Sequence, residues 1–272
     1  MRLGGPLFMK TADPEEWIKI LKERGDTAAF FPVGDEAPDS LIADYKKSAE
    51  ENDILIAEVG AWGNPLSPNK SERDEAMLKC KRRLELAEKI GARCCVNISG
   101  SRSADNWAGP HADDMTDETF EMIVESVREI IDFVRPERTY YTLETMPWSY
   151  PDSADSYLRL IKAIDRERFA VHFDPVNIIN SPEAYYKNHL IMKDFFKKLG
   201  SQIKSCHAKD ISLSTKLTVH LAEVHPGMGN LCYKTYLSEL NKLDPDTPLM
   251  LEHLQSKEQY EQAVEYIRGV NQ

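Results

Sequence analysis

The sequence predicts an α/β fold, a single (β/α)8 TIM barrel over residues 1–272, and three observations carry that prediction. Short apolar runs alternate with longer amphipathic segments along the whole chain, without a break in composition that would mark a second domain. The eight apolar runs are nearly continuous in Val, Ile, Leu and Phe, as strands buried on both faces of a parallel sheet are. The length of 272 residues matches the roughly 250 that one such barrel occupies. A doubly wound open sheet would alternate in the same way. It usually carries a glycine-rich phosphate turn after an early strand, and neither GxGxxG nor GxxxxGKS/T occurs.

The elements follow in order. RLGGPLF (2–8) is the first strand candidate. Asp13-Pro14-Glu15-Glu16 then sets a capping carboxylate before a proline at the first helical position, and Gly25 ends that helix. TAAFFPV (27–33) and ILIAEVGAW (54–62) are the second and third strands. Residues 71–90 form a long amphipathic helix stopped by Gly91, and ARCCVNIS (92–99) is the fourth strand. Thr116 or Asp117 opens a helix with Phe120, Ile123, Val127, Ile130 and Ile131 on one face. TYYTLE (139–144) and FAVHFD (169–174) are strands five and six. Ser181-Pro182-Glu183 starts a helix predicted to run to Gly200, before strand seven, IKSCHA (203–208). PLMLEH (248–253) is strand eight, and Ser256-Lys257-Glu258 caps a last helix ending near Gly269. Two connections, 99–115 and 211–231, exceed the roughly 2–6 residues usual for such turns. Both lie at the carboxyl ends of strands, where barrel active sites form.

The bulk properties narrow the function. The formal charge is −11, with 34 basic and 45 acidic residues and no Lys/Arg-rich run, so a nucleic-acid partner is not expected. No window approaches 18 uninterrupted apolar residues and the N-terminus has no apolar signal core, so the reading is a cytoplasmic protein without a membrane partner. The five cysteines are odd in number and form no CxxC, which predicts reduced, buried thiols. A homo-oligomer is compatible with all of this.

Glu144, Asp174, His207 and Glu252 each end one of the last four apolar runs, at separations of 30, 33 and 45 residues. That is about one βα unit of roughly 30–35 residues per step, the last step lengthened by the 211–231 connection. Residues two apart share a strand face, so Thr142, His172, Ser205 and Met250 would point inward with them. Four inward donors on adjacent strands can meet at one ion. Three carboxylates and an imidazole suit one divalent metal ion, Mn²⁺ first, then Mg²⁺, Co²⁺, Fe²⁺ or Zn²⁺. Around that centre the candidates for substrate contact are Glu58 at the end of strand three, Asn97 at the end of strand four and His172 beneath the metal. Trp62, with Trp107 and Trp148, offers flat faces to sugar rings. Lys209, and His111 and His225 in the long connections, complete the set.

The segments TLE (142–144), HFDPVN (172–177), CHAKD (206–210) and MLEH (250–253) resemble the sugar phosphate isomerase/epimerase superfamily of xylose isomerase-like TIM barrels. The opening RLGGPLF, the EVGAWGNPLSP segment and the HPGMGN turn fit the same group, which includes ketose 3-epimerases, hydroxypyruvate isomerases, inosose isomerases and dehydratases, and endonuclease IV-type enzymes. The resemblance implies that Glu144, Asp174, His207 and Glu252 hold the metal and that Glu144 and Glu252 also move protons. It implies proton abstraction alpha to a carbonyl of a small sugar, keto-sugar or polyol, through a metal-stabilised enediolate. The ketose 3-epimerases carry a histidine three residues after the metal aspartate. Here that position is Asn177, so a substrate contact there is expected from an amide. A lyase or dehydratase, or a 3-keto-glycoside-cleaving enzyme, would share the same first step. An endonuclease IV-like nuclease needs extra histidines in the first half, and no histidine precedes His111. A sugar-binding barrel without catalysis would be expected to have lost one of the four ligands.

Overall fold

A computed structural model describes residues 1–8 and 13–270 of the chain. Seven strands come first: β1 (Arg2–Gly4), β2 (Ala28–Phe30), β3 (Leu55–Gly60), β4 (Cys94–Asn97), β5 (Tyr141–Glu144), β6 (Phe169–Phe173) and β7 (Ile203–Ala208). An antiparallel hairpin follows, β8 (Asp210–Leu213) and β9 (Leu221–Val224), and β10 (Pro248–Leu251) completes the barrel. Around it lie α1 (Pro14–Arg24), α2 (Asp39–Glu51), α3 (Lys70–Ile90), α4 (Asp117–Val134), α5 (Ala154–Ile164), α6 (Pro182–Tyr186), α7 (Asn188–Leu199), α8 (Tyr233–Leu240) and α9 (Lys257–Val270).

The eight barrel strands run in the order β1-β10-β7-β6-β5-β4-β3-β2, every neighbouring pair parallel. The circuit is completed where β1 meets the start of β2. Thr27 N–H donates to Leu3 O (2.9 Å), and Leu3 N–H donates to the Thr27 hydroxyl (3.0 Å). The two backbones come so close that a Cβ on Gly4 would lie 2.1 Å from Ala28 O, so this position requires glycine. The main core fills the layer between strands and helices, with Tyr141, Leu143, Phe173, Phe195 and Tyr236 among its fully buried side chains. Each such side chain contributes about 1.5–3 kcal/mol on leaving water. Inside the barrel, Ala28, Ala57 and Met250 form a small second cluster, with Phe30 and Leu55 against it.

Several boundaries differ from the sequence reading. The strands are mostly shorter than the apolar runs, because residues such as Phe31, Ala61 and Trp62 continue the apolar composition into loops that have already left the ladder. The helix expected from Ser181 to Gly200 breaks at Lys187. There the Asn188 amide donates to Tyr185 O (2.6 Å) and Asn230 O (3.0 Å) and accepts from Cys232 N–H (2.8 Å), tying the break to the chain after the hairpin. Two thirds of the 211–231 connection, residues 211–224, belongs to the β8–β9 hairpin. Helix α9 runs through Gly269 to Val270. The five cysteines are free, and Cys80, Cys94, Cys95 and Cys206 are buried. No helix among the described residues is long and apolar enough to cross a membrane.

One irregularity matters for the site. The β2–β3 register slips at Ala57: Ala29 pairs with Ile56, but Phe30 pairs with Glu58. Ile56 packs among the helix-facing residues, and simple alternation would put Glu58 beside it. The bulge instead turns Glu58 into the barrel, where its carboxylate reaches β6 and β7.

Candidate metal centre

Glu144, Asp174 and His207 are set by bonds near the ends of their own strands. Glu144 is the last residue of β5. Next to it, the Thr145 hydroxyl donates to Asp174 O (2.8 Å) and accepts Asp174 N–H (3.1 Å), clipping the ends of β5 and β6 together. Below this clip the Tyr157 hydroxyl, from α5, lies 2.6 Å from Leu143 O and 2.9 Å from Ala170 O. It also accepts the N–H groups of Leu143 and His172, both at 3.2 Å. Asp174 follows β6 directly, and its Oδ1 accepts Val176 N–H (2.9 Å), which leaves Oδ2 facing the barrel axis. His207 lies within β7, and its carbonyl and that of Lys209, just past the strand, accept the hydroxyls of Tyr236 (2.8 Å) and Tyr233 (2.7 Å) from α8. Glu252 follows β10.

These four side chains converge. One donor atom from each of Glu144, Asp174, His207 and Glu252 lies within 4.8 Å of every other. His207 Nδ1 is 3.1 Å from Glu144, 3.0 Å from Glu252 and 3.7 Å from Asp174. The first three residues are buried and Glu252 is nearly so. Asp174 Oδ2 and Glu252 Oε2 make no hydrogen bond of good geometry among the described residues and are held by ion pairs alone, to Lys209 and His207. A buried set of three carboxylates and one imidazole, with one donor atom from each turned to a common point, fits a hard divalent cation.

Lys209 is drawn into the same cluster. An exposed lysine is the ordinary case, but Lys209 is only 2% exposed. Its Nζ is 2.7 Å from Glu252, 2.9 Å from Asp174 and 3.6 Å from both Glu144 and Glu223. Burial alone would lower its pKa, but Asp174, Glu144 and Glu252 hold it well above the usual lysine value. Without an ion, His207 is likewise held far above its ordinary pKa by Glu252, Glu144 and Glu58 despite burial. Burial pushes Glu144 up. Burial acts the same way on Glu252, but His207 and Lys209 outweigh it and bring Glu252 down to about 2.

The other candidates divide by depth. Asn177 donates to Glu144 Oε1 (3.1 Å) and lines a cleft of about 410 Å³ above the centre. Trp62, Trp107, Trp148 and Lys209 also line that cleft, as do Glu144 and Glu252. Trp148 Nε1 donates to Ala108 O (2.7 Å), joining two of the roofing loops. Glu58 does not end its strand, which continues to Gly60, so its carboxylate lies beneath the centre with His172 and both are shut off from the cleft. Asn97 shares the helix-facing side of β4 with Cys95. Its amide is used on the Gly63 backbone, accepting N–H at 3.1 Å and donating to O at 3.3 Å. His111 is exposed, accepts Asp113 N–H (3.2 Å) and does not line the cleft. His225 lines a neighbouring hollow together with Glu223 and His253.

Two residues that sequence reasoning left without a role stand at the cleft. Glu223, on β9, lies 2.9 Å from His253 Nδ1 and 3.6 Å from Lys209. His253 follows Glu252 with φ +55, a left-handed conformation unusual for histidine, and its Nε2 is 3.6 Å from Glu252 Oε1. The period-two alternation of 211–224 was the available signal for the hairpin that carries Glu223.

A family model described as xylose isomerase-like TIM barrel matches residues 16–270. No curated protein matches the chain in sequence. Among solved structures, a xylose isomerase-like TIM barrel protein from Mycobacterium smegmatis in complex with magnesium is 18% identical. It superposes with a TM-score of 0.69, covering 96% of this chain and 90% of that one. D-psicose 3-epimerase with D-tagatose from Clostridium cellulolyticum is 16% identical, with a TM-score of 0.69 and coverage of 100% and 99%. Endonuclease IV from Thermus thermophilus is 13% identical, with a TM-score of 0.73 and coverage of 99% and 98%. At these identities the likeness is one of fold.

Proposed function

The chain belongs to the xylose isomerase-like TIM barrel family, and from that premise we propose that it is a divalent-metal-dependent isomerase or epimerase of a small sugar, keto-sugar or polyol. The observation that carries the reading is the convergence of Glu144, Asp174, His207 and Glu252 within 4.8 Å at the floor of a cleft walled by tryptophans. Those four residues would hold the ion, Mn²⁺ or Mg²⁺ before the softer metals. When bound, the ion supplies a Lewis acid that polarises a substrate carbonyl and its neighbouring hydroxyl.

The rest is the work of the protein's own groups. Glu144 and Glu252 both face the cleft, so one can take the proton from the carbon beside the carbonyl and the other can return it. The Lys209 ammonium and the Asn177 amide supply donors for substrate oxygens. Trp62, Trp107 and Trp148 line the cleft and offer faces to the sugar ring. The magnesium complex and the sugar epimerase among the structural neighbours are consistent with this chemistry in related barrels.

The test is exchange with solvent. The protein, loaded with Mn²⁺, is incubated in deuterated water with a panel of keto-sugars, and the products are read by NMR and mass spectrometry. Deuterium gained beside the carbonyl with the carbon skeleton intact is the expected result. Glu144→Gln and Glu252→Gln should each lower the rate by about 10²–10⁴-fold. Normal turnover by either variant would remove that glutamate from the mechanism. Loss of water or of an aglycone would reassign the enzyme as a lyase.

A further inference from the structure

Beneath the four-donor centre lies a second group that the proposed chemistry leaves unused: Glu58 with His172 and Ser205. We propose that Glu58 is a positioning residue that fixes the tautomer and ring orientation of His207, so that Nδ1 faces the centre and Nε2 carries the proton. The proposal rests on the reading that the centre holds a divalent ion.

The geometry is specific. Glu58 is 1% exposed, and the β3 bulge sends it into a barrel interior whose apolar part includes Ala28, Ala57 and Met250. A carboxylate there costs several kcal/mol unless donors meet it. Its Oε1 accepts from the Ser205 hydroxyl and pairs with His172 Nε2 at 3.0 Å. Its other oxygen, Oε2, has no hydrogen bond and faces His207 Nε2 at 3.4 Å. That nitrogen has no hydrogen bond either among the described residues. Two unsatisfied buried atoms of complementary type, a few tenths of an ångström beyond bonding distance, are therefore each other's natural partner.

The opposite nitrogen of the same ring faces Glu144 and Glu252. A neutral imidazole that gives its Nδ1 lone pair to a cation must carry its proton on Nε2, and Glu58 is the acceptor placed there. The His172 ring packs edge-on against the His207 ring with centroids 4.1 Å apart, which limits rotation about the remaining bond. Glu58, His172 and His207 could themselves be taken for a metal set. Glu58 Oε1 is already engaged by two donors, however, and the whole group is sealed from solvent.

The experiment uses Co²⁺ as probe. Wild-type protein stripped of metal is titrated with Co²⁺, and the paramagnetic proton spectrum is searched for an exchangeable imidazole N–H shifted by the ion. The expected result is one Co²⁺ per chain and one such resonance from His207. In Glu58→Gln and Glu58→Ala the resonance should move or be lost to exchange, and Co²⁺ affinity should fall about 10–100-fold. A merely structural Glu58 would lower thermal stability while leaving resonance and affinity in place, and that result overturns the proposal. So does a second Co²⁺ in the wild type that disappears in Glu58→Gln. If neither variant folds, the wild type decides, since absence of the exchangeable resonance excludes Nδ1 ligation with a protonated Nε2. Wild-type protein that binds no Co²⁺, Mn²⁺ or Mg²⁺ would overturn the metal reading itself, and this proposal with it.

Discussion

Replacing Lys209 by methionine should destabilise the metal-free protein and strengthen its hold on a divalent ion. The Lys209 Nζ lies 2.7 Å from Glu252 and 2.9 Å from Asp174, with Glu144 and Glu223 both at 3.6 Å. At an effective dielectric of about 20, each of the two short pairs is worth about 6 kcal/mol of Coulomb attraction. Most of that offsets the loss of hydration, and removing one partner of a buried ion pair costs about 3–5 kcal/mol net. Methionine has a similar length and no charge, so Lys209→Met changes packing little and leaves the carboxylates facing one another. In a chain of this size about 1 kcal/mol corresponds to about 2–4 °C, so the metal-free melting temperature should fall by about 6–20 °C.

A divalent ion replaces the missing positive charge. The ion-bound forms of wild type and variant should therefore differ much less than the metal-free forms. By linkage, whatever part of the 3–5 kcal/mol is confined to the metal-free form appears as tighter ion binding, at most a few thousandfold. The assay is calorimetric melting at neutral pH, with chelator and then with Mn²⁺ at several concentrations. The variant should show the lower melting temperature in chelator and the larger rise with Mn²⁺. Equal melting temperatures in chelator, or equal rises with Mn²⁺, would refute the assignment of Lys209 as counter-charge to the centre.

Three further outcomes follow from the scaffold. Tyr157→Phe keeps the ring but leaves the backbone groups that its hydroxyl bonds at Leu143, Ala170 and His172 short of a partner, at about 1–3 kcal/mol in urea unfolding. An unchanged midpoint would show that the hydroxyl does not pin β5 to β6. Burial pushes the Asp26 carboxyl up to about 6 despite Arg24 at 3.0 Å, so the folded state favours its protonated form. That contribution is fully present below about pH 4 and lost as pH rises through about 6, amounting to about 3 kcal/mol. Asp26→Asn cannot titrate, so the stability of wild type minus variant should fall by about that amount between pH 4 and pH 7, and a flat difference would contradict it. Asp210 accepts N–H groups from Ile211, Gly227, Gly229 and Leu231 at 2.8–3.1 Å, folding the turn after the hairpin over the barrel rim. Asp210→Ala should raise hydrogen exchange in 225–231 and weaken ion-dependent activity, with the barrel amides unaffected.

The barrel was legible because its strands are buried on both faces and its helices are punctuated, as at Asp13-Pro14, Gly25 and Gly91. The convergence of the four periodic residues was legible for a related reason: strand parity and one donor per βα unit define a point once the strands are parallel and adjacent. Elements without punctuation were harder to see. Helix α2 begins after Pro38 and α8 after Cys232, neither with a side-chain cap, although the Ser153 capping box of α5 was there to be read. Parity failed where a one-residue bulge intervened. Glu58 looked like a rim residue, and the slip at Ala57 placed it on the barrel axis instead. Asn97 ends its strand as a substrate contact would, but it falls on the helix-facing side with Cys95, which composition alone does not distinguish.

The charges of the interior explain why these residues have to be taken together. Glu58, Glu144, Asp174 and Glu252 are four carboxylates, faced by the Lys209 ammonium and, without an ion, by a protonated His207. Two positive charges against four negative ones leave a deficit of two in a region nearly closed to water, which is the charge of one divalent cation. On binding, a cation ligated by His207 Nδ1 must displace the added proton, so one negative charge stays uncompensated. Burial favours a proton on Glu144, the carboxylate that Asn177 and the cleft also reach. A carboxyl that keeps this proton, beside a cation and open to the substrate cleft, is placed to give it to substrate as the general acid. None of this can be read from any one of the residues. It follows from the number of charges that the parallel strands bring to one end of the barrel.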